Sequence, residues 1–244
     1  MEALFGAMAG VLPCLIFAGF AVVVVAVIVF GILQAQKRRQ EMQALARKWG
    51  FVYYQNDPWG LPAWYGAMDL FQHGHSKKAS NVLSGEVDGR TVLAFDYRYV
   101  TGSGKNRSTH HWQAVVVLLP IQAPRLRLRR ENVLDRMASW VGWDDLDFES
   151  DEFSRRYHVA CEERRFAYDI FHARLIDYLL RCRQSPNMEM NGVFLILYDS
   201  GSGQVSNFER LLAIGQTVVA MIPDYVLKVR AVESAGAGAP GGHP

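Results

Sequence analysis

The pattern of apolar and polar positions divides this chain before any motif is considered. Residues 3–36 carry no carboxylate, ammonium or guanidinium side chain, and residues 11–33 read VLPCLIFAGFAVVVVAVIVFGIL. That run exceeds the ~20 apolar residues a membrane-spanning helix needs. Its helix breakers, Pro13, Gly19 and Gly31, lie near an end or are tolerated in lipid, where the backbone bonds to itself. A buried core helix would be shorter. A cleaved signal peptide would start with a basic residue and carry roughly 7–15 apolar ones, whereas this segment follows Glu2 and runs on. A lipoprotein site at Cys14 likewise lacks a preceding base. The pattern predicts a transmembrane helix over 11–33.

Beyond residue 33 the rhythm becomes that of a folded domain. Met42, Leu45, Ala46 and Trp49 recur at helical spacing, which predicts a helix over 34–49 closed by Gly50 and followed by a short strand, 51–54. From Ala79 the pattern alternates. Residues 82–87 and 91–99 flank Asp88-Gly89, a strong hairpin signal because both positions tolerate positive φ. A third strand is expected over 112–119, ended by Pro120, and a fourth after Pro124, where Arg125, Arg127 and Arg129 share one face. Then follow a predicted helix over 132–141, two strands over 147–149 and 154–162, and a single helix over 166–183. Residues 192–198 are continuously apolar, as in a strand central to its sheet. Ser206 and Glu209 have capping-box spacing at the start of a last helix reaching about residue 221. The Gly/Ala/Pro-rich end, 234–244, is expected to be disordered. The order of elements implies an α+β fold with a mainly antiparallel sheet and two or three packed helices, behind an N-terminal transmembrane helix.

Composition sharpens this division. The 244 residues hold 26 Lys+Arg and 24 Asp+Glu for a net charge of +2, yet only Glu2 among them precedes Lys37. The low charge content therefore belongs to the apolar segment alone. Lys37, Arg38, Arg39, Arg47 and Lys48 follow it and no base precedes it, so the positive-inside rule places the domain in the cytoplasm. The expected organisation is a short extracytoplasmic N-terminus (1–10), the transmembrane helix (11–33), a basic juxtamembrane helix (34–50), a cytoplasmic domain (51–233) and the tail (234–244). The setting is a single-pass protein of the cell's inner membrane. Cys14 lies in the apolar segment, and Cys161 and Cys182 make no disulfide framework. The five bases also form a candidate membrane-surface site, each worth about 1 kcal/mol beside anionic headgroups. Trp49, Tyr53, Tyr54, Trp59, Trp64 and Tyr65 suit either the membrane interface or core packing.

The sequence holds one candidate metal constellation. His73 and His75 alternate, and His110 or His111 would complete a tetrahedral set if the strands pair suitably. No acidic partner is evident for them. Gly102-Ser103-Gly104-Lys105 lacks the first glycine and the Ser/Thr of a Walker A loop and reads as a hairpin loop. His158 and Cys161 point to opposite faces of a strand, and Cys182 reads as core. The basic block 125–130 and the acidic block 144–152 either pair with each other or stand in solvent. The acidic block and the near-neutral total argue against nucleic acid as a partner. No catalytic residue and no cofactor are assigned. The expected partners are the lipid bilayer and a protein. The functional classes left are a membrane-tethered interaction or scaffold module, a metal-assisted hydrolase using the histidines, and a lipid-surface sensor.

Residues 81–105, NVLSGEVDGRTVLAFDYRYVTGSGK, contain an NVLSG strand and an FDYRYVTGSG strand and turn. Together with the N-terminal anchor they resemble uncharacterised bacterial single-span membrane proteins. The resemblance implies one ordered domain in a bacterial setting. That group carries no assigned activity, so no catalytic residues transfer.

Overall fold

The computed structural model describes residues 2–130, 146–182, 184–200 and 203–231. It divides into two units, residues 1–44 and 45–244. The expected helix over 132–141 and the expected tail over 234–244 lie outside the described residues.

A single helix, α1 (Glu2–Trp49), spans the first unit and enters the second. Its stretch from Gly19 onward is long and apolar enough to cross a membrane, with a mean hydropathy of 2.3 and Phe20, Ile28, Phe30 and Leu33 exposed. The juxtamembrane helix is continuous with it, because residues 34–37 are good helix formers without Gly or Pro. Gly50, at φ 71°, ends the helix, and the Phe51 amide returns to the Ala46 carbonyl at 2.8 Å.

The second unit is α+β. Its antiparallel sheet comprises β1 (Val52–Asn56), β2 (His75–Val87), β3 (Arg90–Thr101), β4 (Ser108–Arg130), β5 (Tyr157–Cys161) and β6 (Asn187–Ser200). The β2–β3 hairpin turns at Asp88 and Gly89, both at positive φ, as their sequence predicts. β2 begins earlier than the pattern suggested, at His75.

β4 organises the sheet. It pairs with β3 through its first half and β5 through its last residues on one edge, and with β6 along the other. The sequence reading of two strands separated by Pro120 is thus corrected to one 23-residue strand. Pro120 and Pro124 fall where the β4–β6 register shifts, between Leu118 and Ala123 and between Ala123 and Leu126, so no ladder hydrogen bond needs their missing N–H. β6, expected to be central, pairs with β4 alone among the described strands. Its unbroken apolarity reflects cover on both faces. Phe194 meets Tyr65 on one side, and Leu197 lies against Gly215 on the other.

Four further expectations are corrected. Residues 147–149 form no strand. Ser154 belongs to a helix, α2 (Asp151–Arg156), capped by the Ser150 hydroxyl accepting from the Phe153 amide at 3.3 Å. The helix expected over 166–183 is broken into α3 (Arg164–Ile170) and α4 (Ala173–Arg181). His172 occupies the break, its Nδ1 accepting from the Leu175 amide at 3.4 Å while Nε2 donates to the Met221 carbonyl at 3.0 Å. Finally, α5 (Ser206–Ala220) starts without the Ser206/Glu209 box. Glu209 instead accepts from the Lys48 ammonium at 2.6 Å. After Pro223 a short helix, α6 (Asp224–Arg230), follows.

One sheet face is covered by residues 57–74, which hold a one-turn helix, Leu61–Trp64, and a 3₁₀ turn, Asp69–Phe71. Asp57 starts this segment by accepting the amides of Trp59, Gly60 and Leu61. Leu61, Tyr65, Met68, Leu70 and Phe71 then pack on Phe95, Tyr97, Ile196 and Tyr198. Gly74 closes the segment at φ 62°, where an added Cβ would sit 2.4 Å from the Val100 carbonyl oxygen. Gly74→Ala therefore combines left-handed strain with a backbone clash, and is expected to cost about 2 kcal/mol or more. At Gly89, also left-handed, a Cβ meets nothing, and alanine is expected to cost only about 1 kcal/mol. Thermal unfolding of the detergent-solubilised chain checks both; equal shifts would show that the Val100 contact gives way.

Candidate functional site

The densest concentration of chemistry in the domain lies under the 57–74 segment and begins with the alternation in β4. Leu126 and Leu128 take one face and are fully buried, which turns Arg125, Arg127 and Arg129 to the other. Arg127 stands directly opposite Glu189 of β6. The 3₁₀ turn lies over this pair. Its first amide, Asp69 N–H, donates to both Glu189 oxygens, at 2.8 Å to Oε2 and 3.1 Å to Oε1. The Asp69 carboxylate accepts from Arg127 Nη1 on one oxygen and from Arg129 Nη2 on the other. His73 Nε2 reaches Asp69 Oδ2 at 3.2 Å, and Arg125 Nε lies 3.6 Å from Glu189 Oε1.

These charges are withdrawn from water: Asp69 is 1% exposed, Arg127 4% and Glu189 0%. Burial dominates the titration of Glu189 and Arg127. It pushes the Glu189 carboxyl up to about 7, although three arginines pull the other way. It lowers the Arg127 guanidinium below its ordinary value and pushes the Tyr198 phenol up to about 12. The arrangement fixes the covering segment to the sheet through mutually neutralised groups. A second network lies farther along β4 and β6. Asp199 accepts from Arg130 at 3.0 Å and Arg210 at 2.7 Å, while buried Gln113 accepts from Asn207 and donates to the Gln204 carbonyl.

Sequence reasoning placed the three arginines on one face but missed their partners. Asp69 and Glu189, both outside the acidic block, pair with them: Asp69 with Arg127 and Arg129, and Glu189 with Arg125. The available signal was a single acid inside each of two apolar windows, Ala67-Met68-Asp69-Leu70-Phe71 and Met188-Glu189-Met190, because a buried carboxylate requires a cationic or hydrogen-bonding partner.

Three of the four candidate histidines are engaged separately. His73 has the acidic partner the sequence did not reveal, Asp69. His75 accepts from the Ser76 hydroxyl and donates to the Gly102 carbonyl at 3.0 Å. His110 is bonded to the Thr101 hydroxyl at 2.9 Å and stacks on Tyr99, while His111 is exposed. Among the described residues no group of three or more His, Cys, Asp or Glu is gathered as metal ligands would be. Gly102-Ser103-Gly104-Lys105 lies in the loop joining β3 to β4. Cys161 is buried and its thiol pushed up to about 11, which suppresses the reactive thiolate at neutral pH.

The juxtamembrane bases and aromatics divide between solvent and packing. Lys37 and Arg38 each lie 4.0 Å from Glu41, Arg39 and Arg47 are exposed, and Lys48 pairs with Glu209. Tyr65 is core, Tyr54 meets Trp59 edge-on, and Trp64 is exposed.

No protein-family model and no curated protein matches the chain. The fold has a solved counterpart. It is similar to the crystal structure of the mycobacterial trehalose monomycolate transport factor A, TtfA, with a TM-score of 0.57 and 11% identity, over 76% of this chain and 96% of that one. At that identity the likeness is one of fold.

Proposed function

We propose that this chain is a membrane-anchored, non-catalytic interaction module of a bacterial inner membrane, with its domain on the cytoplasmic side, serving a membrane transport assembly. The observation that carries this reading is a long exposed apolar helix joined to a domain with the fold of a transport factor. The basic collar from Lys37 to Lys48 supports the orientation. Among the described residues, the bonding of Asp69, Arg127, Arg129 and Glu189 to one another, away from solvent, supports a structural rather than catalytic use of these groups.

The reading predicts that the full chain, captured from detergent-solubilised membranes, brings a specific integral membrane protein with it. Recovery of the folded chain with no reproducible companion counts against an interaction module. Orientation is read separately from a cysteine at exposed Glu86. Glu86→Cys should escape a membrane-impermeant thiol reagent in intact spheroplasts and react after lysis, and reaction in intact spheroplasts reverses the orientation.

A further inference from the structure

The ends of β2, β3 and β4 that meet near the 102–107 loop form an exposed patch of one charge sign. Lys78 stands directly opposite Arg98, and Arg98 directly opposite His111, in a row across three strands. All three are exposed. Lys105 and Arg107 are exposed on the loop that begins just past Thr101, three residues or about 10 Å along β3 from Arg98. No Asp or Glu occurs in residues 70–85 or 97–130. The nearest acid along β3, Asp96, is only partly exposed and accepts from Asn81 at 2.9 Å.

Two features separate this patch from an ordinary solvated face. Like charges directly opposite on adjacent strands destabilise a sheet, so the Lys78–Arg98 pair is retained against a local cost. Other arginines of the same sheet are matched: Arg127 and Arg129 with Asp69, and Arg130 with Asp199. Among the described residues, Lys78, Arg98, Lys105 and Arg107 have no carboxylate in ion-pair range. Among the described residues this positive field meets no carboxylate, which suits it to an external anion.

We propose that this patch is a second membrane contact, docking the Lys78–Arg98–His111 row and the Lys105/Arg107 loop onto anionic phospholipid headgroups. The inference rests on the reading of α1 as an anchor, which confines the domain to the bilayer surface at high effective concentration and makes weak single-charge contacts count. Headgroups suit the patch because its cations are exposed on adjacent strand ends and a glycine-containing loop, and each gains about fivefold in occupancy beside an anionic surface. The residues are distinct from the juxtamembrane collar. Together the two sites would orient the domain rather than merely tether it.

The test uses the full chain carrying Ser103→Cys, labelled with an environment-sensitive fluorophore and reconstituted with the domain outside vesicles. One set is phosphatidylcholine alone, the other contains about one third phosphatidylglycerol. The expected result is a blue shift and headgroup-quencher accessibility only with phosphatidylglycerol. Both should be lost in 0.5 M salt, where the Debye length falls to about 4 Å, and in the variant Lys78→Gln/Arg98→Gln/Lys105→Gln/Arg107→Gln. A signal indifferent to phosphatidylglycerol, or unchanged in the quadruple variant, overturns the proposal. So does displacement of the label's signal by a soluble acidic peptide but not by anionic lipid, which would mark a protein partner instead. Circular dichroism of the variant confirms that it is folded; exposed Gln at these positions removes like-charge repulsion and leaves the core untouched. Failure of the anchor reading is distinguishable, because the chain would then be released by an alkaline carbonate wash in both vesicle types.

Discussion

Asp69→Asn is expected to destabilise the domain by about 3–5 kcal/mol, the range found when one partner of a buried ion pair is removed. The substitution preserves shape and size and alters only charge. It leaves Arg127 and Arg129, which now share the Asp69 carboxylate, facing a neutral amide in a site withdrawn from water. The amide also presents two hydrogens toward guanidinium donors, so at least one contact becomes donor against donor. Urea unfolding of the detergent-solubilised chain measures the loss. Asp69→Asn combined with Arg127→Met should lose less than the two single variants added together, since the second change removes a charge that the first stranded. A loss below about 1 kcal/mol for Asp69→Asn would show that water reaches the network and screens it.

Glu189→Gln should change how stability depends on pH. The Glu189 carboxyl is pushed up from its ordinary 4.5 to about 7, chiefly by burial. The native state therefore holds this proton more tightly than the unfolded chain. The resulting stabilisation is fully present below about pH 4.5, declines as pH rises, and is gone above about pH 7. Glutamine imitates the protonated form at every pH. Relative to wild type, Glu189→Gln should thus gain about 2–3 kcal/mol between pH 5 and pH 8. A difference that stays flat across this interval would mean that the arginines beside Glu189 hold it ionised in the native state. The amide can still accept from Asp69 N–H through its oxygen, so the fold of the 3₁₀ turn is retained.

Local signals predicted what local chemistry controls. Asp88-Gly89 turned the hairpin, Gly50 ended α1, and the charge-free stretch gave a helix long enough to cross a membrane, all because backbone conformation or the solvent requirement acts within a few residues. Elements set by distant contacts were misread. Pro120 looked like a strand end, yet β6, some seventy residues later, supplies a shifted register that accommodates it. The apolar run in β6 looked central because cover on both faces produces the same composition as a central position. The break at His172 could not be anticipated from the 166–183 periodicity, since its imidazole is fixed by the carbonyl of Met221, at the end of another helix. The buried network was half legible. The alternation of Arg125, Arg127 and Arg129 with leucines showed a shared face, but the identity of the anions depended on the path of residues 57–74 over the sheet.

The length of β4 also sets a schedule for biosynthesis. Its first half acquires β3 from residues already made, but its opposite edge is completed by β6, which ends at Ser200. At roughly 5–20 residues per second, the apolar segment from Val115 to Leu119 waits several seconds with one backbone edge open while the ribosome makes the intervening chain. An open apolar edge is a template for pairing with another chain. Nascent copies crowded on one membrane would be most exposed to such mispairing during that interval, and slowing elongation between residues 130 and 187 would lengthen it.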